Sequence, residues 1–259
     1  MAPTVVLLHA FPLNKSLFDE VTGPIAQAGW DVIVPDLRGF GESGFGGVEP
    51  DDEPSLTLMA HDVLDIMDRV GIQSAVIAGV SLGGYVAMEL VRQAPERIAA
   101  IALIDTKGSA DTQEARENRL RVAQQVTDAE STEALARAML PNLLGATTHV
   151  QRPEVVERVR GWIHAADPEG VAWAQRAMAV RPDSHADLAT LRVPALVLWG
   201  AEDVLSPRVD QDALVAALTD VCAVELPGAG HLTPIEVPGE FSDAFITFLT
   251  DARASLDQS

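Results

Sequence analysis

The chain has 259 residues, 47% of them hydrophobic and 5% aromatic, with 18 basic side chains against 38 acidic ones and a formal net charge of −20. A chain of this length buries about 70–75% of its unfolded surface when folded, so disorder and collagen-like repeats are excluded and a large core is expected. The acidic excess repels phosphate backbones and anionic lipid surfaces, so no nucleic-acid or membrane partner is expected.

In chain order, short apolar runs occur at Val5–Leu8, Val32–Val34, Ala75–Ala78, Ile101–Ile104, Ala195–Trp199 and Cys222–Leu226. Most lack period-2 polarity, which predicts strands buried on both faces. Amphipathic stretches at about 16–29, 56–70, 82–94, 208–219 and 238–254 predict helices between and after them. This β-α-β alternation demands a parallel sheet with right-handed crossovers. Only Ser74–Val91 could be mistaken for a membrane helix, and Gly79, Ser81, Gly83, Gly84 and Glu89 interrupt it. It is better read as a buried strand, a tight turn at Ser81 and a buried helix.

The alternation breaks from about Lys107 to Leu191, where helical segments near 111–126, 129–139, 153–165 and 168–180 follow one another without a convincing strand. Pro141, Gly145 and Pro153 punctuate the interval, and Pro182 and Pro194 bracket the return to the sheet. The interval is read as a helical cap at 107–190, inserted after the fourth strand into a core made of 1–106 and 191–259.

In an open parallel sheet the ligand site lies at the carboxyl ends of the strands. Four such ends carry chemistry: His9-Ala10-Phe11-Pro12, Gly79-Val80-Ser81-Leu82-Gly83-Gly84, Gly200-Ala201-Glu202-Asp203 and Pro227-Gly228-Ala229-Gly230-His231. Gly79 to Gly83 fits G-x-S-x-G, a strained strand-to-helix turn that presents a serine. A serine hydroxyl needs a base to lose its proton near neutral pH, and a histidine base needs a carboxylate to fix its tautomer. His231 has the right context for the base. His9 belongs to the first loop, His61 to a helix beside Asp62, and His149, His164 and His185 to the cap. For the acid, Asp203 opens a loop after the fifth strand, while Glu202 beside it and Asp105 after the fourth strand stay open as alternatives.

With these motifs in place, the sequence resembles the α/β-hydrolase family over nearly its whole length. The likeness includes Asp36-Leu37-Arg38-Gly39-Phe40-Gly41-Glu42-Ser43 after the second strand. It implies an oxyanion hole from the backbone N–H groups of Leu82 and Phe11, with Ser81 attacking an acyl carbon and no cofactor. Two departures are visible. Ala10 stands where the family usually has glycine, so a positive φ there would be strained. The chain also begins at the strand before His9, without the antiparallel strands that often start this fold, so a six-stranded, all-parallel sheet is expected.

A serine at the elbow points away from dehalogenase-like and epoxide-hydrolase-like branches, which use a carboxylate there, and leaves a small ester or lactone as the expected substrate. The first loop and Arg176–Ser184 are similar to enol-lactonase-like members, in which Arg176 or Arg181 would bind a substrate carboxylate. The plainer reading of both arginines is a solvated cap helix with salt bridges. Perhydrolase-like members are a further resemblance, with Phe11 where they usually have tryptophan, and a low-turnover receptor of this fold is the non-enzyme alternative. Trp162, Trp173 and Met178 are candidates for an acyl pocket or for cap packing.

Asp36 and Arg38 are read as ordering the loop beside the site, Cys222 as a buried strand residue, and the Gly39–Gly47 cluster as lacking the spacing of a dinucleotide loop. The histidines show no HxH or HExxH spacing, so no metal site is expected. One cysteine cannot make an internal disulfide, and the N-terminus shows no basic segment before its short apolar run. A cytoplasmic location follows as the expectation.

Overall fold

A computed structural model of the chain describes residues 2–45, 53–126 and 129–256. Its strands are β1 (Thr4–Leu8), β2 (Asp31–Ile33), β3 (Ala75–Val80), β4 (Ile98–Ile104), β5 (Ala195–Gly200) and β6 (Val221–Leu226). They form one sheet in the order β2-β1-β3-β4-β5-β6, with every neighbouring pair parallel. The chain steps outward from β1 to β2 and then returns past β1 to β3, so the winding reverses between β1 and β3. The crevice at the carboxyl ends of those two strands is where open α/β sheets bind ligands.

Burial follows position in the sheet. β3 and β5 are buried along their whole length, β1 and β4 nearly so. The edge strands depart from the expected two-faced burial: β2 has no fully buried residue and β6 only Leu226. Cys222 is accordingly exposed, not buried: it lies on the edge strand β6 and faces an open groove shared with α12.

Helices α1 (Asp19–Gln27), α2 (Leu56–Arg69) and α3 (Leu82–Gln93) lie in the first half of the chain. Between β4 and β5 come α4 (Gln113–Gln125), α5 (Ala129–Leu143), α6 (Ala146–Gln151), α7 (Pro153–His164), α8 (Pro168–Ala179) and α9 (His185–Leu188). No strand interrupts that interval among the described residues. After β5 come α10 (Arg208–Ala217), α11 (Thr233–Glu236) and α12 (Pro238–Leu256). α1 packs on α12, α2 on α3, α4 on α8 and α5 on α7.

Pro141 does not end a helix as expected but lies inside α5, which continues to Leu143. One lost backbone bond near the helix end is outweighed there by the burial of Leu135, Ala136, Leu140 and Leu143. Of the Gly39–Gly47 cluster, Gly46 and Gly47 lie outside the described residues. No helix among the described residues is long and apolar enough to cross a membrane.

Candidate active site

Ser81 occupies the turn between β3 and α3 with φ 52° and ψ −110°. Such a backbone costs about 1–3 kcal/mol for a residue with a side chain and persists only where the surroundings impose it. Here Ser81 N–H donates to the Ile104 carbonyl at 3.0 Å, and the Thr106 hydroxyl donates to the Ser81 carbonyl at 2.9 Å. The flanking glycines are steric requirements: a Cβ on Gly79 would lie 2.1 Å from the Gly83 carbonyl oxygen, and one on Gly83 would lie 2.1 Å from that of Leu8. The G-x-S-x-G pattern therefore reflects how closely β1, β3 and α3 approach.

His231 reaches this turn from the loop after β6. Its Nε2 is 2.8 Å from Ser81 Oγ and its Nδ1 is 2.8 Å from Asp203 Oδ2. With Nδ1–H donating to the carboxylate, Nε2 is left to accept from the serine hydroxyl. The Asp203 carboxylate also accepts from the Leu205 and Ser206 amides at 2.8 and 3.1 Å and from the Ser206 hydroxyl at 2.5 Å. Ser206 was not anticipated as a partner, although an Asp followed three residues later by Ser at the entry to a helix is a legible turn signal.

Burial alone would raise the Asp203 carboxyl. The His231 charge, its hydrogen bond and those from Ser206 outweigh it and hold the group at about 2. Burial alone would lower the His231 imidazole, yet Asp203, with help from the Asp105 and Glu236 carboxylates, raises it above the ordinary histidine value.

The other acids considered for this position are engaged elsewhere. Glu202 accepts from the Thr147 amide and hydroxyl at 2.8 and 2.5 Å. Asp105 accepts from the Gly200 and Thr233 amides. Of the three, only Asp203 hydrogen-bonds to the imidazole.

The turn between α5 and α6 holds the histidine loop. His231 N–H donates to the Leu143 carbonyl at 3.1 Å. The buried Glu236 carboxylate accepts from the Gly145 amide at 2.8 Å, the Thr148 hydroxyl at 2.6 Å and the Leu232 amide at 2.9 Å. Nothing in the sequence near Glu236 singled it out, because its partners at 145 and 148 are distant in the chain.

Leu82 opens α3, where first-turn amides have no acceptor within the helix. Gly83 N–H donates to the His9 carbonyl at 3.1 Å, which draws the loop carrying Phe11 against the start of α3. Among the described residues, neither the Phe11 nor the Leu82 N–H has a protein acceptor. Only Ser81 and Asp105 among the described non-glycine residues have positive φ, so Ala10 sits in the first loop without the strain expected of it. His9 is fully buried, with Nδ1–H directed at the Ala10 carbonyl and Nε2 accepting from the Leu37 amide at 2.9 Å. Burial lowers its pKa to about 4, against the Ala10 bond and the Asp36 charge, so it is a neutral strut between the first and second loops.

Asp36 and Arg38 order the neighbouring loop. Asp36 accepts from the Lys15 and Glu42 amides at 2.7 and 2.9 Å, and Arg38 pairs with Asp62 at 2.5 Å and donates to the Phe45 carbonyl.

The remaining candidates sit in the helical interval. Arg181 is buried, not solvated: it pairs with Asp111 at 2.7 Å, donates to the Met178 and Ser109 carbonyls and lies 4.1 Å from the Tyr85 ring centroid. Met178 is buried with its Sδ 3.3 Å from Arg119 Nη1. Trp173 is fully buried with its ring 6.3 Å from Phe45, whereas Trp162 is half-buried against the core and Arg176 is half-buried in α8. No cluster of metal-ligating residues occurs among the described residues. A groove of about 590 Å³ runs between β6 and α12, and neither Ser81, Asp203 nor His231 lines it.

A sequence profile described as the alpha/beta hydrolase fold matches residues 3–238. Among solved structures, a thermophilic esterase from Thermogutta terrifontis superposes with a TM-score of 0.91 at 37% identity, over 97% of this chain and 91% of that one. The enol-lactonase from Burkholderia xenovorans LB400 gives a TM-score of 0.86 at 28% identity, over 96% and 92%. A Variovorax paradoxus protein provisionally named as the carbamate hydrolase RutD is 28% identical over 251 residues, 96% of this chain and 92% of that one. With a profile match across most of its length and the parallel sheet and strained serine elbow described above, the chain belongs to the α/β-hydrolase fold family of enzymes.

Proposed function

We propose that the protein hydrolyses a small carboxylic ester or lactone through an acyl-enzyme on Ser81, without a cofactor. The observation that carries this reading is the unbroken hydrogen-bond chain from Ser81 Oγ through His231 to Asp203, 2.8 Å at each link, starting at a serine held in a strained elbow. As Ser81 Oγ bonds to the acyl carbon, its proton passes to His231 Nε2, and Asp203 stabilises the imidazolium. The Phe11 and Leu82 amides receive the developing oxyanion, each such donor contributing about 3–4 kcal/mol. Collapse of the intermediate breaks the bond to the alcohol, which takes the proton from His231. Water, deprotonated by the same imidazole, then releases the acid and restores Ser81.

The helices at 107–190 act as a cap in this reading, and the Leu143–Thr148 turn couples the cap to the histidine loop. Likeness to an esterase and an enol-lactonase supports this substrate class. Arg181 is committed to Asp111 and Tyr85, so of the two arginines considered for a substrate carboxylate it is the one already engaged within the protein. The test is purified enzyme assayed against p-nitrophenyl acetate, short lactones and a carbamate, beside Ser81→Ala. Turnover of an ester or lactone that falls at least 1000-fold in the variant is expected on the scale of triad losses. Activity confined to the carbamate, or activity retained by Ser81→Ala, would overturn the proposal.

A further inference from the structure

Asp105 directly follows β4 as a fully buried side chain with φ 46°. Its carboxyl group spans two loops. Oδ1 accepts from the Gly200 amide at 3.1 Å, three residues before Asp203. Oδ2 accepts from the Thr233 amide at 2.9 Å, two residues after His231, and lies 2.7 Å from Thr233 Oγ1. Asp105 N–H donates to the Leu198 carbonyl at 2.9 Å, so the residue is itself fixed to β5. One side chain thus ties the end of β4 to the loop that carries the acid and to the loop that carries the base, while touching neither.

We propose that Asp105 is a positioning residue for the hydrolysis, its carboxyl group setting the separation of the Asp203 and His231 loops and through them the alignment of His231 on Ser81. This inference rests on the roles assigned above to those three residues. The electrostatics agree with it. Burial and the Asp203 charge push the Asp105 carboxyl up to about 8, against the opposing pull of His231 and the Thr233 donors. Asp203, held at about 2, is the charged partner that hydrogen-bonds to the imidazole, and Asp105 acts on the two loops. The strained backbone points the same way: a left-handed residue at a strand end is kept where its side chain has a fixed task, and Asp tolerates that conformation better than most residues.

The test uses the full chain with Asp105→Ala, Asp105→Asn and Thr233→Val, assayed on p-nitrophenyl acetate, with the downfield proton resonance of the His231 Nδ1–H recorded for each. Asp105→Ala is expected to lower kcat by about 10–100-fold with KM within about threefold of wild type, because misplaced loops spoil transition-state geometry more than substrate affinity. Its downfield resonance should shift or vanish. Asp105→Asn keeps the shape and one acceptor and should recover kcat to within about tenfold of wild type with the resonance retained.

A wild-type kcat and resonance in Asp105→Ala would overturn the inference. So would abolition of activity by both Asp105 variants while Asp203→Asn stays active, because Asp105 would then be the acid. If Asp105→Ala does not fold, Thr233→Val decides: kcat about threefold lower at unchanged KM supports the role, and wild-type kcat overturns it. Labelling of Ser81 by a fluorophosphonate separates the two levels. A labelled Ser81 with indifferent Asp105 variants sinks this inference alone, and an unlabelled, dispensable Ser81 sinks the hydrolytic reading beneath it.

Discussion

Gly83→Ala probes the close contact on which the whole site is built. The added Cβ would lie 2.1 Å from the Leu8 carbonyl oxygen and 2.8 Å from Leu8 Cβ, whereas real Cβ atoms keep at least 3.0 Å. The first turn of α3 must therefore retreat from β1 by at least 0.9 Å, the difference between those two distances. That movement stretches the bond from Gly83 N–H to the His9 carbonyl, now 3.1 Å, beyond hydrogen-bonding range. Overpacking of this kind costs about 1–3 kcal/mol and the lost bond about 1 kcal/mol more.

Catalysis should suffer further, because Leu82 moves with α3 while Phe11 stays with β1, and a misplacement of about 1 Å costs about 100-fold in rate. The measurement is kcat/KM on p-nitrophenyl acetate, alongside guanidinium unfolding to confirm that the variant is folded at the assay temperature. Gly161→Ala is the control: nothing lies within 4 Å of its Cβ position in α7, so stability should rise by up to about 1 kcal/mol with kcat/KM unchanged. If Gly83→Ala keeps kcat/KM within threefold of wild type and unfolds at the wild-type midpoint, the steric origin assigned to the G-x-S-x-G pattern is wrong.

Asp203→Asn should lower kcat by about 10³–10⁴-fold, because an amide no longer holds the Nδ1–H tautomer, and single-turnover kinetics would register the loss. The pH dependence of kcat/KM should rise through a single ionisation centred above 6.5, since the imidazole must be neutral to accept the serine proton and its surrounding carboxylates raise its pKa; a midpoint below 6.5 would contradict the electrostatics described here. The same sign applies to stability: the His231–Asp203 attraction is fully present below 6.5 and is lost as pH rises through the folded-state pKa. Trp173→Ala should destabilise the protein by about 3–5 kcal/mol and leave the ratio of kcat/KM between short and long acyl esters unchanged, because the ring is fully buried against Phe45; a changed ratio with little loss in melting temperature would make it a pocket residue.

The central strands and the elbow were legible because their constraints are local. Ala75–Val80 is apolar at every position where the strand is buried on both faces, and Gly79 is dictated by the Gly83 carbonyl within one β-turn-α unit, whereas Gly83 answers to Leu8 on the neighbouring β1 and was legible only as part of the five-residue motif. Edge position was not legible: Cys222–Leu226 has the composition of an interior strand, and only the strand order places it at the rim. The long helices α7 and α8 showed their period, whereas α6, α9 and α11, of four to six residues, are too short to display one.

Acid assignment lay between these cases. Asp203, Glu202 and Asp105 all follow strands, and which one meets the imidazole depends on tertiary hydrogen bonds from Thr147, Gly200 and Thr233. Arg181 looked solvated because its partner Asp111 lies 70 residues earlier in the chain. Long-range pairings of that kind leave no periodic trace.

Covalent trapping of the nucleophile bears most directly on the proposed chemistry. Native protein treated with a fluorophosphonate, digested and sequenced by mass spectrometry, should carry one adduct, on the peptide containing Ser81. Labelling should disappear in Ser81→Ala and slow sharply in His231→Gln. An adduct on Ser16, Ser43 or Ser206 instead, or a Ser81 that stays unmodified in an enzyme the reagent inactivates, would contradict the assignment.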